Sequence, residues 1–150
     1  MKRLLLARRR MLLLNSQTGE SAAEENLLTP TEVSFTSDGV KRYFKNSFFA
    51  TETLPINTTY KMTGTVTLTD VNNPTTGYGN IYLNGYSAFG NNALTRKIIY
   101  PNSTVNTTYD FEIEVTTKQE CVTGFAIGVI DFGADMTGTV TFTNMKLVKV

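Results

Sequence analysis

Tyr60-Lys-Met-Thr-Gly-Thr-Val-Thr-Leu-Thr69 decides the fold class. Tyr60, Met62, Gly64, Val66 and Leu68 share one parity, while Lys61, Thr63, Thr65, Thr67 and Thr69 share the other. Side chains alternate across a strand, so this period of two predicts a half-buried β-strand. Tyr109-Asp-Phe-Glu-Ile-Glu-Val115 alternates as strictly, which puts Phe111, Ile113 and Val115 inward and Asp110, Glu112 and Glu114 in water. Further strands are expected over Glu32–Thr36, Val40–Phe49, Asn80–Tyr86, Leu94–Tyr100, Val122–Ile130 and Gly138–Val150. Turn-forming clusters separate them: Ser37-Asp-Gly39, Asn72-Asn-Pro74, Gly90-Asn-Asn92, Pro101-Asn-Ser103 and Gly133-Ala-Asp135. Eight short strands with no helical period among them predict an all-β sandwich or barrel.

Two echoes run through this pattern. Asn57-Thr-Thr-Tyr60 returns as Asn106-Thr-Thr-Tyr109, and Met62-Thr-Gly-Thr-Val-Thr-Leu-Thr-Asp70 returns as Met136-Thr-Gly-Thr-Val-Thr-Phe-Thr-Asn144. The offsets differ, so the chain is not a solenoid of one period. Equivalent long strands would produce such echoes, and so would the abundance of threonine.

Composition sets the limits on chemistry. The chain has 150 residues, 41% of them hydrophobic, enough for one domain and short for two. There is no histidine, which excludes Ser-His-Asp and Cys-His triads and histidine-based zinc sites. A single cysteine, Cys121, excludes an internal disulfide and a four-cysteine metal site. No cofactor and no metal are expected.

The net charge of +1 hides an asymmetry. Residues 1–14, MKRLLLARRRMLLL, carry five positive charges and no acid, whereas residues 27–150 carry nine basic and ten acidic groups. A nearly neutral body offers no broad basic surface to nucleic acid. Three arginines split the leucine runs, which argues against a secretory signal or a membrane span. Wound as a helix, the same stretch has no clean apolar face. We therefore expect residues 1–26 to be an anchoring arm and polar linker, extended or helical, and residues 27–150 to be the sandwich. The contacts with a partner would come from Leu4, Leu5, Leu6, Arg8, Arg9, Arg10, Met11, Leu12, Leu13 and Leu14. A disordered tail is the plainer reading of the arm.

The order of segments also carries a resemblance. Asn26-Leu27-Leu28 opens the body, an aromatic-rich strand follows, and the chain closes with Gly138-Thr-Val-Thr-Phe-Thr-Asn-Met-Lys-Leu-Val-Lys-Val150. This resembles the jelly-roll, carbohydrate-binding-module-like domains of phage tail fibres, head fibres and other virion appendages. The resemblance implies a two-sheet antiparallel jelly-roll sandwich located on a virion, contacting other capsid or tail proteins and host-surface glycans. It also implies a homo-oligomer, commonly a trimer. The chain lacks the tryptophan of sugar-binding members. Other readings are a stand-alone carbohydrate-binding module, or a small coat protein whose basic arm meets the genome. Val140 and Phe142 differ in parity from Met145 and Leu147, so a bulge near Thr143-Asn144 is expected in the closing strand.

Sugar recognition needs an aromatic platform and polar groups that reach hydroxyls. If Ile81 and Leu83 face the core, then Tyr82, Asn84 and Tyr86 lie on the opposite face, with Tyr78 in the preceding loop. Packing of these tyrosines under a loop or against a subunit is the plainer alternative. Asp110, Glu112 and Glu114 project in parallel from one surface, unlike carboxylates that flank a glycosidic bond, and no enzymatic activity is expected. Asp131-Phe-Gly133 matches the kinase magnesium motif by letters only. Cys121 has no basic neighbour in sequence and is expected to be structural. The Asn-X-Thr triplets at Asn57, Asn102 and Asn106 follow from the abundance of both residues.

Overall fold

The computed structural model describes residues 24–40, 43–72, 79–90, 93–99, 103–133 and 136–150, without the side chains of 43, 79, 80, 82, 86 and 93–99. The expected arm, residues 1–14, lies outside the described residues, as does Tyr78.

The alternating segments become strands, which we number β1 (Leu28–Thr29), β2 (Val33–Asp38), β3 (Tyr43–Ala50), β4 (Thr59–Asn72), β5 (Gly79–Asn84), β6 (Ala93–Ile99), β7 (Thr104–Thr116), β8 (Ala126–Phe132) and β9 (Thr137–Lys149). One helical turn, α1 (Tyr86–Phe89), follows β5. Two antiparallel sheets form, with orders β1-β3-β8-β5-β6 and β2-β9-β4-β7. The pairings nest: β2 with β9, β3 with β8, β4 with β7, and β5 with β6. That nesting is a jelly roll, as expected.

Each of the eight expected strands is present, with shifted ends. Three differences have local causes. The strand expected over Asn80–Tyr86 stops at Asn84, because Phe89 closes a turn by donating its N–H to the Gly85 carbonyl at 3.1 Å. A Cβ at Gly85 would come 2.6 Å from the Phe89 ring, so this turn depends on glycine. β3 begins at Tyr43, after a turn in which Val40 donates to Asp38 Oδ1 at 3.0 Å and Gly39 has φ 81°. β8 begins at Ala126, because Phe125 donates to the Val122 carbonyl at 2.9 Å around Gly124, φ 80°.

The core lies between the sheets. Tyr60, Met62, Val66 and Leu68 of β4 are buried as their parity demands, and Phe142 and Leu147 of β9 are fully buried beside them. Phe48 meets Phe142 edge-to-face across the sandwich, with centroids 6.1 Å apart, and Phe35 meets Phe132 at 5.8 Å. On β7, Val115 is buried, but Phe111 and Ile113 are only half-buried because β7 is the edge of its sheet.

The second echo has a structural meaning. β4 and β9 are antiparallel neighbours, and the register shifts between Thr63 and Thr65 and again between Thr69 and Asn72. At the first shift Gly64 faces the bulge at Asn144-Met145; at the second Gly138 faces the bulge at Asp70-Val71. Asp70 and Asn144, equivalent in the echo, both have positive φ, 50° and 53°. Each strand thus supplies the glycine that admits the other's bulge. The expected bulge in β9 is present at Asn144. The first echo has no such meaning: Asn57 sits in a turn at φ 57°, whereas Asn106 lies in β7.

The bulges free backbone groups that need partners. Met145 N–H donates to the Thr31 carbonyl at 3.0 Å, and the Met145 carbonyl accepts from Asn26 Nδ2 at 3.0 Å. Asn26 Oδ1 accepts from Leu147 N–H at 2.9 Å. On the other bulge, Asp70 N–H donates to Asn106 Oδ1 at 2.8 Å, and Asn106 Nδ2 donates back to Asp70 Oδ1 at 3.0 Å.

A methyl group at Gly138 would meet the Asp70 carbonyl oxygen at 2.5 Å and Val71 Cα at 2.6 Å, both backbone. At Gly64 it would meet the Met145 sulfur and the Phe111 ring, side-chain ends able to move. Gly138 also has φ 108°, which L residues resist. We expect Gly138→Ala to lower stability by about 3 kcal/mol and Gly64→Ala by about 1–2 kcal/mol. Urea unfolding of the two variants checks the order, and a cost at Gly64 equal to or above that at Gly138 would contradict the reciprocal packing.

Candidate ligand-binding face

β8 is the middle strand of the five-stranded sheet and is apolar on both faces, with one exception. Ile130 and Phe132 point into the sandwich, where Phe132 packs on Phe35. Ile127, Val129 and Asp131 take the opposite parity and face outward, yet all three are buried. Helical turn α1 packs against β8 on this side, with Ala88 and Phe89 fully buried. Asp131 is 5% exposed, a nearly buried carboxylate of outward parity.

Register brings further residues to that carboxylate. Phe44 of β3 and Tyr82 of β5 are the two partners of Asp131, and Arg96 of β6 is the next partner of Tyr82. One step along, Asn46 and Asn84 are the partners of Val129. With strands about 4.8 Å apart, the Phe44 and Tyr82 positions stand roughly 9.5 Å from each other across the carboxylate. Phe44 is 48% exposed, and Asn46 is exposed beside it.

The expected tyrosine platform is therefore partly redrawn. Positions 82 and 84 of β5 are opposite in parity to buried Ile81 and Leu83. Tyr86 does not extend that row, because it opens α1 instead of ending a strand. Phe44, Asn46 and Asp131 join the row and were not singled out from the sequence. A usable signal was present for Asp131: a lone acid in the apolar run Ala126–Phe132.

The four-stranded sheet presents a different outer face. Hydroxyls pair across strands: Ser34 with Thr141 at 2.8 Å, Thr36 with Thr139 at 2.8 Å, and Thr67 with Thr108 at 3.0 Å. Toward one end this face becomes charged. Thr65 Oγ1 donates to Asp110 Oδ1 at 2.7 Å, and Lys61 Nζ lies 3.0 Å from Glu112. The hydrogen bond and charge of Glu112 hold the Lys61 ammonium above its usual pKa, with smaller contributions from Glu114 and Glu24. The acidic residues form a flat row in water, as their alternation predicts. Among the described residues, no three His, Cys, Asp or Glu side chains converge as metal ligands, and no helix is long and apolar enough to cross a membrane.

No described protein family matches the sequence, and no curated protein does. Solved structures with a similar fold do exist. "CBM4 structure and function" has 11% identity over 89% of this chain and 84% of that chain, TM-score 0.41. "Family 16 Carbohydrate Binding Module-2" has 19% identity over 77% and 75%, TM-score 0.36. The tripod from the baseplate of bacteriophage Tuc2009 has 15% identity over 85% of this chain and 56% of that chain, TM-score 0.45. At such identities they say nothing of what this chain binds.

Cys121 lies away from this face, fully buried and bridged to Leu54, where Leu54 N–H donates to the Cys121 carbonyl at 2.8 Å. Burial pushes its thiol pKa up, and the charge of Glu120 adds to the shift. The neutral thiol therefore persists to higher pH than in a free cysteine. A maleimide at pH 8 is expected to modify Cys121 at least about 100-fold more slowly than free cysteine, and rapidly in denaturant. Fast labelling of the folded chain would show that the site opens.

Proposed function

We propose that this chain is a non-catalytic structural protein of a phage virion, anchored through its N-terminal arm and displaying a jelly-roll body that contacts a host-surface glycan. The observation that carries the glycan part is the cross-sheet row of Phe44, Asp131 and Tyr82. An exposed ring suits the apolar face of a sugar, and a carboxylate and amides beside it accept and donate to hydroxyls. The contrast between the five positive charges of residues 1–14 and the nearly neutral remainder supports an arm that is held by a partner. The resemblance of the opening Asn26-Leu27-Leu28 and of the closing strand to virion-appendage domains supports the location.

Two measurements test the two halves. On a glycan array, the full chain is expected to bind a defined set of saccharides, and Phe44→Ala to weaken that binding at least about tenfold without loss of fold. A bound glycan whose affinity is unchanged by Phe44→Ala and Tyr82→Ala would remove this face as the site. Deletion of residues 1–23 is expected to abolish incorporation into particles; unchanged incorporation would remove the anchoring role.

A further inference from the structure

The four-stranded sheet ends in a long strand with one partner. Among the described residues β7 pairs only with β4, and it runs 13 residues, Thr104–Thr116. The opposite edge of the same sheet, β2, has 6 residues. Every second residue of β7 directs backbone N–H and C=O groups away from β4, so the edge can accept another strand. Its two faces differ sharply. Asp110, Glu112 and Glu114 are exposed on the outer side, while Tyr109, Phe111 and Ile113 are half-buried on the inner side. A shallow depression of about 420 Å³ lies beside this edge rather than on it, over β4 between β7 and the β9 bulge, lined by Thr63, Thr65, Asp110, Glu112 and Asn144 among others. A fitting strand would carry bases on one face and apolar groups on the other.

Residues 1–14 supply the bases, five of them with no acid, among six leucines. Taken as a strand, they set Arg8 and Arg10 side by side at the i, i+2 spacing of the acidic row. Leu5, Ala7, Met11 and Leu13 then fall on the opposite face with Arg3 and Arg9, while Leu4, Leu6, Leu12 and Leu14 share the face of Lys2, Arg8 and Arg10, so the match to the edge is one of charge and length rather than of two clean faces. Fourteen extended residues reach about 48 Å, close to the roughly 44 Å length of β7. No other segment of the chain combines a run of bases with so many leucines.

We propose that β7 is the acceptor edge for the N-terminal arm of a neighbouring copy of this chain, which adds to the four-stranded sheet as a further strand. This deepens the anchoring role given to the arm above and rests on it. Pairing between copies is favoured over pairing within one chain by where the arm leaves the body. Leu27 N–H donates to the Leu147 carbonyl at 2.8 Å, and the charge of Glu24 reaches Lys61. Both place the root of the arm at the end of the sandwich where β7 finishes, since Tyr60 is paired with both Val115 and Lys149. An arm laid straight back along its own β7 would run parallel to it, whereas an arm from another copy is free to run antiparallel, the more stable pairing. Main-chain hydrogen bonds would supply affinity, and the Arg8–Arg10 pair would select partner and register.

The test is a charge exchange in the full chain, read by sedimentation velocity at low and high salt. The wild type is expected to self-associate, more weakly as salt rises. Asp110→Lys, Glu112→Lys and Glu114→Lys together are expected to weaken association at least tenfold, as are Arg8→Glu, Arg9→Glu and Arg10→Glu together. Combining the two sets is expected to restore it, with thermal melts confirming that each variant folds. A synthetic peptide of residues 1–14 should bind the chain lacking residues 1–23, whose core, Leu27 to Val148, is complete without them. A monomeric wild type, association indifferent to the acidic row, or failure of the combined set to restore association would overturn the proposal. A monomeric chain that loses particle incorporation on arm deletion would overturn it while leaving the anchoring role intact, the arm then being held by a different virion protein.

Discussion

The reciprocal fit between two glycines and two bulges holds the centre of this molecule. β4 and β9 are each 13 or 14 residues long and contribute most of one wall of the core. A regular pair of that length would keep one parity throughout, and Met145, Leu147 and Val71 would then face water. The bulge at Asn144 returns Met145 and Leu147 to the core side, and the bulge at Asp70 does the same for Val71; all three are buried. Each bulge needs space on the facing strand, and Gly64 and Gly138 provide it. The bent pair also sets where the chain can enter: Asn26 bonds both Met145 and Leu147 and so fastens the start of the body to the bulged strand. The Asn-Leu-Leu opening is thus a structural clamp, which explains it without reference to a ligand.

Much of this was legible in the sequence, for a physical reason. Alternation in a half-buried strand is a local signal, so the inward sets of β4 and β7 and the parity break in β9 could be read residue by residue. The Met62–Asp70 echo was visible as well, but its meaning was not. Only pairing the two strands shows that Gly64 answers Asn144 and Gly138 answers Asp70. Turn details were lost for the opposite reason. Gly85 and Phe89 act over five residues through packing that no periodicity records, so Tyr86 was read as the end of a strand. The binding face suffered most. β8 is buried on both sides, so it has no alternation to read, and Asp131 gains its significance from Phe44 and Tyr82, which lie far off in sequence.

The two outer faces divide the surface by chemistry. On the four-stranded sheet the hydroxyls of Ser34, Thr36, Thr139, Thr141, Thr67 and Thr108 bond to one another in cross-strand pairs. Groups satisfied in this way gain little from a further polar ligand, because any new hydrogen bond displaces an existing one. The five-stranded sheet differs in kind: the exposed Phe44 ring and Asn46 stand beside the nearly buried Asp131. Threonine abundance therefore belongs to structure.

The edges of the sheets extend the same reasoning to assembly. A jelly roll is not closed, and its outer strands present unpaired backbone groups. Here β1 is two residues long and β2 six, too short to template much. β7 is twice the length of β2, and its protection is the acidic row at Asp110, Glu112 and Glu114. Like charges on an edge repel a second copy of the same edge, which disfavours pairing of β7 with itself. They do not repel a basic strand. The charge pattern that disfavours edge-to-edge joining of two bodies is therefore compatible with the proposed donation of residues 1–14, and an association of that kind would be head-to-tail in sense, with one copy giving a strand and the next accepting it. Contacts of that type are heterologous, and they close into a ring only if the rotation from copy to copy permits it. In such an association the nine polar or small residues Asn15 to Ala23, which separate the donated segment from the first described residue, would set how freely one copy turns against the next.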